Sequence, residues 1–100
     1  MSSRITVVID PDLKDLIPGF LANRQRDLVA LRELVVSGDF VAARIIGHSM
    51  KGAGGGYGFT PITELGDAIE IAALAGDGVS ILATAELLAD YLSRIDPVFE

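Results

Sequence analysis

The 100-residue chain has no cysteine, no tryptophan and a single histidine, His48. Without cysteine, disulfide frameworks, thiolate metal sites and thiol nucleophiles are excluded, and the composition is compatible with a reducing compartment. Basic residues are also scarce: eight Lys and Arg face fourteen Asp and Glu, giving a net charge of −6. Phosphate backbones are gripped by clustered cations, so a nucleic-acid partner is not expected. Two Tyr and four Phe are too few to make a stacking platform for single strands. Long apolar runs are missing too. The run in residues 5 to 9 is broken by Asp10, which makes it too short for a signal peptide, and no other run approaches the roughly 18 residues of a membrane span. A soluble, cytoplasmic protein that does not bind a membrane is expected.

Half of the residues are hydrophobic, enough for one core and therefore one domain over residues 1 to 100. Residues 1 to 9 read as an extended arm, because a lone strand has no obvious partner elsewhere. Asp10-Pro11 pairs a capping side chain with proline at a first helical position, predicting a short helix through residue 17 that Pro18-Gly19 interrupts. Leu21, Leu28, Leu31, Leu34 and Val35 then recur at helical spacing up to Gly38. Asp39 is a cap for a second long helix, residues 40 to 57. Thr60-Pro61 is another cap followed by proline and starts a third, with Ile62, Leu65, Ile69 and Ala72 on one stripe up to Gly76. After the turn Gly76-Asp77-Gly78, the positions Ile81 or Leu82, Ala85, Leu88, Leu92 and Ile95 mark a fourth that Pro97 closes. Four apolar stripes joined by short turns predict an all-α fold, an antiparallel up-down-up-down four-helix bundle over about residues 11 to 96.

The most unusual stretch is "GHSMKGAGGGYGF", residues 47 to 59. As a phosphate-binding loop it fails: the Walker pattern needs lysine where Ala53 stands, and G-x-G-x-x-G meets Tyr57 or Phe59 where glycine is required. No calcium-loop spacing is present, and one histidine without cysteine leaves only a carboxylate-dominated ligand set, so no metal site is expected. As a helix, the stretch sorts cleanly. Ala42, Ala43, Ile46, Met50, Ala53 and Tyr57 fall within about 60° of the direction opposite His48, which predicts that they face the core and His48 faces solvent. Val41, Arg44, Ile45, Lys51, Gly52 and Gly55 share the exposed side.

On that face Arg44 and Lys51 bring positive charge to the imidazole, which favours an arriving anion. Gly52 and Gly55 remove side chains beside it, so another protein's surface can approach, and Val41 and Ile45 offer that partner an apolar contact. An open, nucleophilic imidazole with such neighbours suits phosphoryl transfer. The plainer reading is that Arg44 and Lys51 are solvated charges and that Val41 and Ile45 pack on the N-terminal arm. The glycines are costly. Gly52, Gly54, Gly55 and Gly56 together sacrifice roughly 4 kcal/mol of helix propensity relative to alanine. Gly54 lies toward the core, where it permits close helix packing, and fraying after it is an open alternative.

The residues from His48 to Gly58 resemble the signature of histidine-containing phosphotransfer (HPt) domains: a histidine, then an apolar residue, Lys, Gly and a small residue, and finally an apolar residue and Gly. Met50, Lys51, Gly52, Ala53, Tyr57 and Gly58 occupy those places. The run Gly54-Gly55-Gly56 departs from the pattern, since a serine and bulkier helix formers are common there. The resemblance implies a phosphorelay intermediate of two-component signal transduction. His48 would accept a phosphoryl group on Nε2 from a receiver domain's aspartyl phosphate and pass it to another receiver aspartate. Lys51 would stabilise phosphate charge and Gly52 would give steric access. It implies response-regulator receivers or a hybrid histidine kinase as partners, with Mg²⁺ in the receiver and no cofactor here. The role is that of a phosphocarrier with no ATP-dependent kinase activity of its own. Two other readings stand beside it: a helical adaptor that docks receivers or kinases without taking phosphate, and a small enzyme using His48 as a general base, for which no second catalytic group is visible.

Overall fold

The computed structural model describes residues 3–100, and it is mostly helical. A strand β1 (Ile5–Ile9) leads through a 3-10 helix (Pro11–Leu16) into α1 (Ile17–Ser37). Then come α2 (Phe40–Gly54), a second 3-10 turn (Gly55–Tyr57), α3 (Thr60–Leu74), α4 (Gly78–Arg94) and a closing strand β2 (Ile95–Phe99). Among the described residues, no helix is long and apolar enough to cross a membrane.

The helix ends follow the local chemistry of the sequence. Gly38 stops α1 with φ 74°, a left-handed conformation in which a side chain would be strained. The Asp39 side chain then accepts from the Ala42 amide at 3.1 Å, satisfying one of the free N–H groups that begin α2. Asp77 does the same for α4 through the Ser80 amide at 3.0 Å and the Ser80 hydroxyl at 2.6 Å. These two bonds to Ser80 hold its carboxyl below the ordinary aspartate pKa. The observed helix starts depart from the sequence expectation at Pro18 and Thr60. Pro18 does not interrupt the chain, because it stands in the first turn of α1, where its missing N–H costs nothing. Thr60 is the first residue of α3 and not its cap; Phe59 occupies the cap position without a side-chain bond, its ring fully buried.

Within the expected arm, Ile5–Ile9 is a paired strand, Ser3 and Arg4 lead into it, and Met1 and Ser2 lie outside the described residues. β1 runs parallel to β2 with Ile5 opposite Ile95 and Ile9 opposite Phe99. The whole helical part of the chain is the crossover that a parallel pair requires. Arg94 donates from Nε to the Ser3 carbonyl at 2.8 Å and Arg4 donates to the Ser93 carbonyl at 3.2 Å, tying the start of β1 to the end of α4. Pro97 therefore does not close a helix. It disfavours helical backbone at Asp96, α4 ends at Arg94, and Ile95 is already extended with ψ 143°.

Leu31, Met50, Phe59, Ile62, Ile69, Ile81 and Leu88 form the fully buried centre. Phe20 stacks on Tyr57 at 4.5 Å and on Phe59 at 5.5 Å, closing the core over the end of α2. α1 packs on α2, α2 on α3, α3 on α4, and α4 back on α1. The tightest of these contacts is between α2 and α3. Gly47 faces Gly66 and Glu70, Lys51 faces Gly66, and Gly54 faces Thr63, so the two helices run antiparallel.

Candidate functional site

Glycines set the geometry of the site. A Cβ on Gly47 would lie 2.7 Å from the Glu70 amide nitrogen, and one on Gly54 would lie 2.6 Å from the Thr63 nitrogen. One on Gly66 would fall on the Lys51 amide and 2.8 Å from the Gly47 carbonyl oxygen. Backbone meets backbone here, with no side chains between the helices to space them. This closeness brings α3 side chains within reach of groups on α2.

The His48 side chain is 73% exposed, as the helical wheel predicted, while Ala43 and Met50 are buried and Tyr57 half-buried on the opposite side. Its Nδ1 lies 2.9 Å from Oε2 of Glu70, whose own side chain is only 14% exposed. An ionised carboxylate only accepts hydrogen bonds, so this contact places the proton of a neutral imidazole on Nδ1 and leaves the lone pair on Nε2. A nearly buried carboxylate under an exposed ring thus fixes both the tautomer and the orientation. Nε2 has no partner among the described residues.

Lys51, one turn after His48, is not a free cation. Its Nζ is 2.9 Å from Oδ1 of Asp67 and 3.6 Å from Oε1 of Glu70. The hydrogen bond to Asp67 does most to hold the ammonium above the ordinary lysine pKa, and the charges of Asp67 and Glu70 add to it. Gly52 opens onto empty space, with nothing within 4 Å of where a Cβ would stand. Arg44, Val41 and Ile45 are exposed. Val41 at 68% and Ile45 at 57% do not pack on β1, so the plainer account of these two does not hold. Gly55 sits just past the end of α2, its N–H bonded to Thr63 Oγ1 at 2.7 Å. The α-helix ends at Gly54 and a 3-10 turn carries the chain to Tyr57, as the fraying alternative anticipated. Nothing in the structure explains Gly56.

Sequence reading missed Glu70 and Asp67, the acidic half of the site, and Gly47 and Gly66, which place it. A signal was present: on a helix, Thr63, Gly66, Asp67 and Glu70 fall within about 100° of one another, a polar and small strip beside the apolar stripe of α3. Two exposed apolar residues on α3, Ile71 at 60% and Leu74 at 69%, were also passed over. Among the described residues, no group of three or more His, Asp or Glu side chains is placed to hold a metal ion. No protein-family model, curated protein or solved structure matches the chain.

Proposed function

We propose that this protein is a phosphorelay intermediate, in which His48 Nε2 takes a phosphoryl group from a receiver-domain aspartyl phosphate and passes it to a second receiver. The observation that carries the reading is the exposed His48 ring held through Nδ1 by Glu70 at 2.9 Å. A nucleophile is useful only with its lone pair directed outward, and the Glu70 contact does that without consuming Nε2. In the transfer, the Nε2 lone pair forms the N–P bond while the P–O bond to the receiver's aspartate breaks, its electrons returning to that carboxylate. The proton stays on Nδ1, so the phosphorylated ring gains positive charge and Glu70 is in place to balance it. Lys51 supplies a cation one helical turn away, and Gly52 leaves the approach clear. The remaining charge neutralisation belongs to the partner. Such a role is exercised beside receiver domains in the cytoplasm.

The HPt-like motif at residues 48 to 58 agrees with this reading, and so does the packing. Each helix touches the next, α4 returns to α1 and α2 runs antiparallel to α3, which supports an up-down-up-down four-helix bundle. Incubation with a phosphorylated receiver is expected to give an acid-labile, base-stable phosphate on the wild type and none on His48→Gln. Label retained by the variant would reject the assignment. Because Lys51 is already paired and Val41 and Ile45 are exposed, docking without transfer is the second reading. It requires unlabelled wild type and unchanged receiver binding by His48→Gln.

A further inference from the structure

We infer that Asp67 limits how fully His48 is phosphorylated, by competing with the phosphoryl group for Lys51. The inference rests on the phosphorelay reading and names a regulator of the same site.

Lys51 Nζ lies 2.9 Å from Asp67 Oδ1, and both side chains are 45% exposed. Neither is locked by packing, and an ion pair open to water is weak enough to exchange partners. Lys51 stands three residues after His48, on the same helical face. A phosphoryl group on Nε2 adds negative charge and three acceptor oxygens there, so it competes directly for the ammonium that Asp67 now holds. Two effects of Asp67 then share one sign. It withholds Lys51 from the phosphoryl group, and its own charge repels that group.

The two carboxylates of the site oppose each other in function. Glu70 Oε2 is engaged with Nδ1 at 2.9 Å, where the ring gains positive charge on phosphorylation. Glu70 therefore favours the phosphorylated state. Asp67 has its one ion pair with Lys51, at 2.9 Å where Glu70 reaches the same ammonium only at 3.6 Å, and it disfavours that state. Arg44, one helical turn before His48, is in none of the ion pairs among the described residues. Asp67 is thus a positioning residue that acts through Lys51. It gives the carrier a phosphohistidine poised to leave for the next receiver.

The test uses the full chain as wild type, Asp67→Asn and Asp67→Glu, with a receiver domain charged by acetyl phosphate. The equilibrium ratio of phosphohistidine to phosphoreceiver is expected to rise by about 1.4-fold to fivefold in Asp67→Asn, the range an exposed charge pair contributes, and to return close to wild type in Asp67→Glu. In the unphosphorylated proteins, NMR titration of Lys51 Nζ is expected to move down toward the ordinary lysine range in Asp67→Asn. Equal ratios in labelled wild type and Asp67→Asn would overturn the role of Asp67 and leave the phosphorelay reading standing. An unmoved Lys51 titration would overturn it as well. No label on either protein from any receiver would remove the phosphorelay reading and this inference with it.

Discussion

Exchanging Gly66 for alanine puts the close approach of α2 and α3 to the test. Alanine is the better helix former by about 1 kcal/mol, so local propensity alone makes the variant more stable than the wild type. The structure opposes this. The new methyl would fall on the Lys51 amide, 2.8 Å from the Gly47 carbonyl oxygen and 3.0 Å from Lys51 Cα, all of them backbone atoms that no rotamer change can clear. Relief requires the helices to part by roughly 0.5–1 Å, which forfeits a quarter to a half of each contact across the seam. Overpacking of this kind costs about 3 kcal/mol, and subtracting the propensity gain leaves a net loss of about 2 kcal/mol. For a domain of this size that lowers Tm by about 8–16 °C. Gly52→Ala is the control: nothing stands within 4 Å of its Cβ position, so propensity acts unopposed and Tm rises by about 4–8 °C. Thermal unfolding followed by circular dichroism measures both. A Gly66→Ala variant as stable as Gly52→Ala would refute the backbone contact, and with it the geometry that places Glu70 under His48.

Four further outcomes follow from particular contacts. Asp39→Ala removes the side-chain bond to the Ala42 amide and is expected to cost about 1 kcal/mol, read as a lower urea midpoint with an unchanged slope. Glu70→Gln keeps an acceptor near Nδ1 but removes the charge that balances the phosphorylated ring; labelling of His48 is expected to slow about tenfold, and equal rates would remove Glu70 from the mechanism. Because hydrogen bonds from Ser80 depress the Asp77 pKa, its carboxylate contributes stability that is present above the ordinary value of 3.8 and lost as pH falls through the lower folded value. The stability gap between wild type and Asp77→Asn is therefore expected to be full at neutral pH and to close in acid, whereas a pH-independent gap would contradict the capping account. Replacing exposed Val41 or Ile45 by serine is expected to leave Tm within about 4 °C and to weaken receiver binding; unchanged binding would exclude this face of α2 from docking.

Much of α2 was legible locally, because the spacing of Ala43, Met50 and Tyr57 fixes which side is buried once the stretch is read as a helix. His48 faces solvent for that reason alone. Glycine carries no hydropathy signal, so Gly47 and Gly66 look neutral on a wheel although they decide how closely two helices approach. Glu70 escaped notice because its role depends on that approach across 22 residues of sequence. The parallel strand pair was hidden for a related reason. Ile5 and Ile95 sit at opposite ends of the chain, and local patterning does not report a partner on the far side of four helices. Pro97 reads as a helix stop when taken alone, and only the pairing with Val7 shows it to be a strand residue.

The central claim is that Nε2 of His48 is the atom that accepts the phosphoryl group, and NMR of the phosphorylated chain tests it most directly. Long-range coupling between phosphorus and the ring is expected to place the phosphorus on Nε2, with the Nδ1 proton still bonded to Glu70. Phosphorus on Nδ1, or a receiver-labelled protein with no phosphorus on the imidazole, would contradict the account.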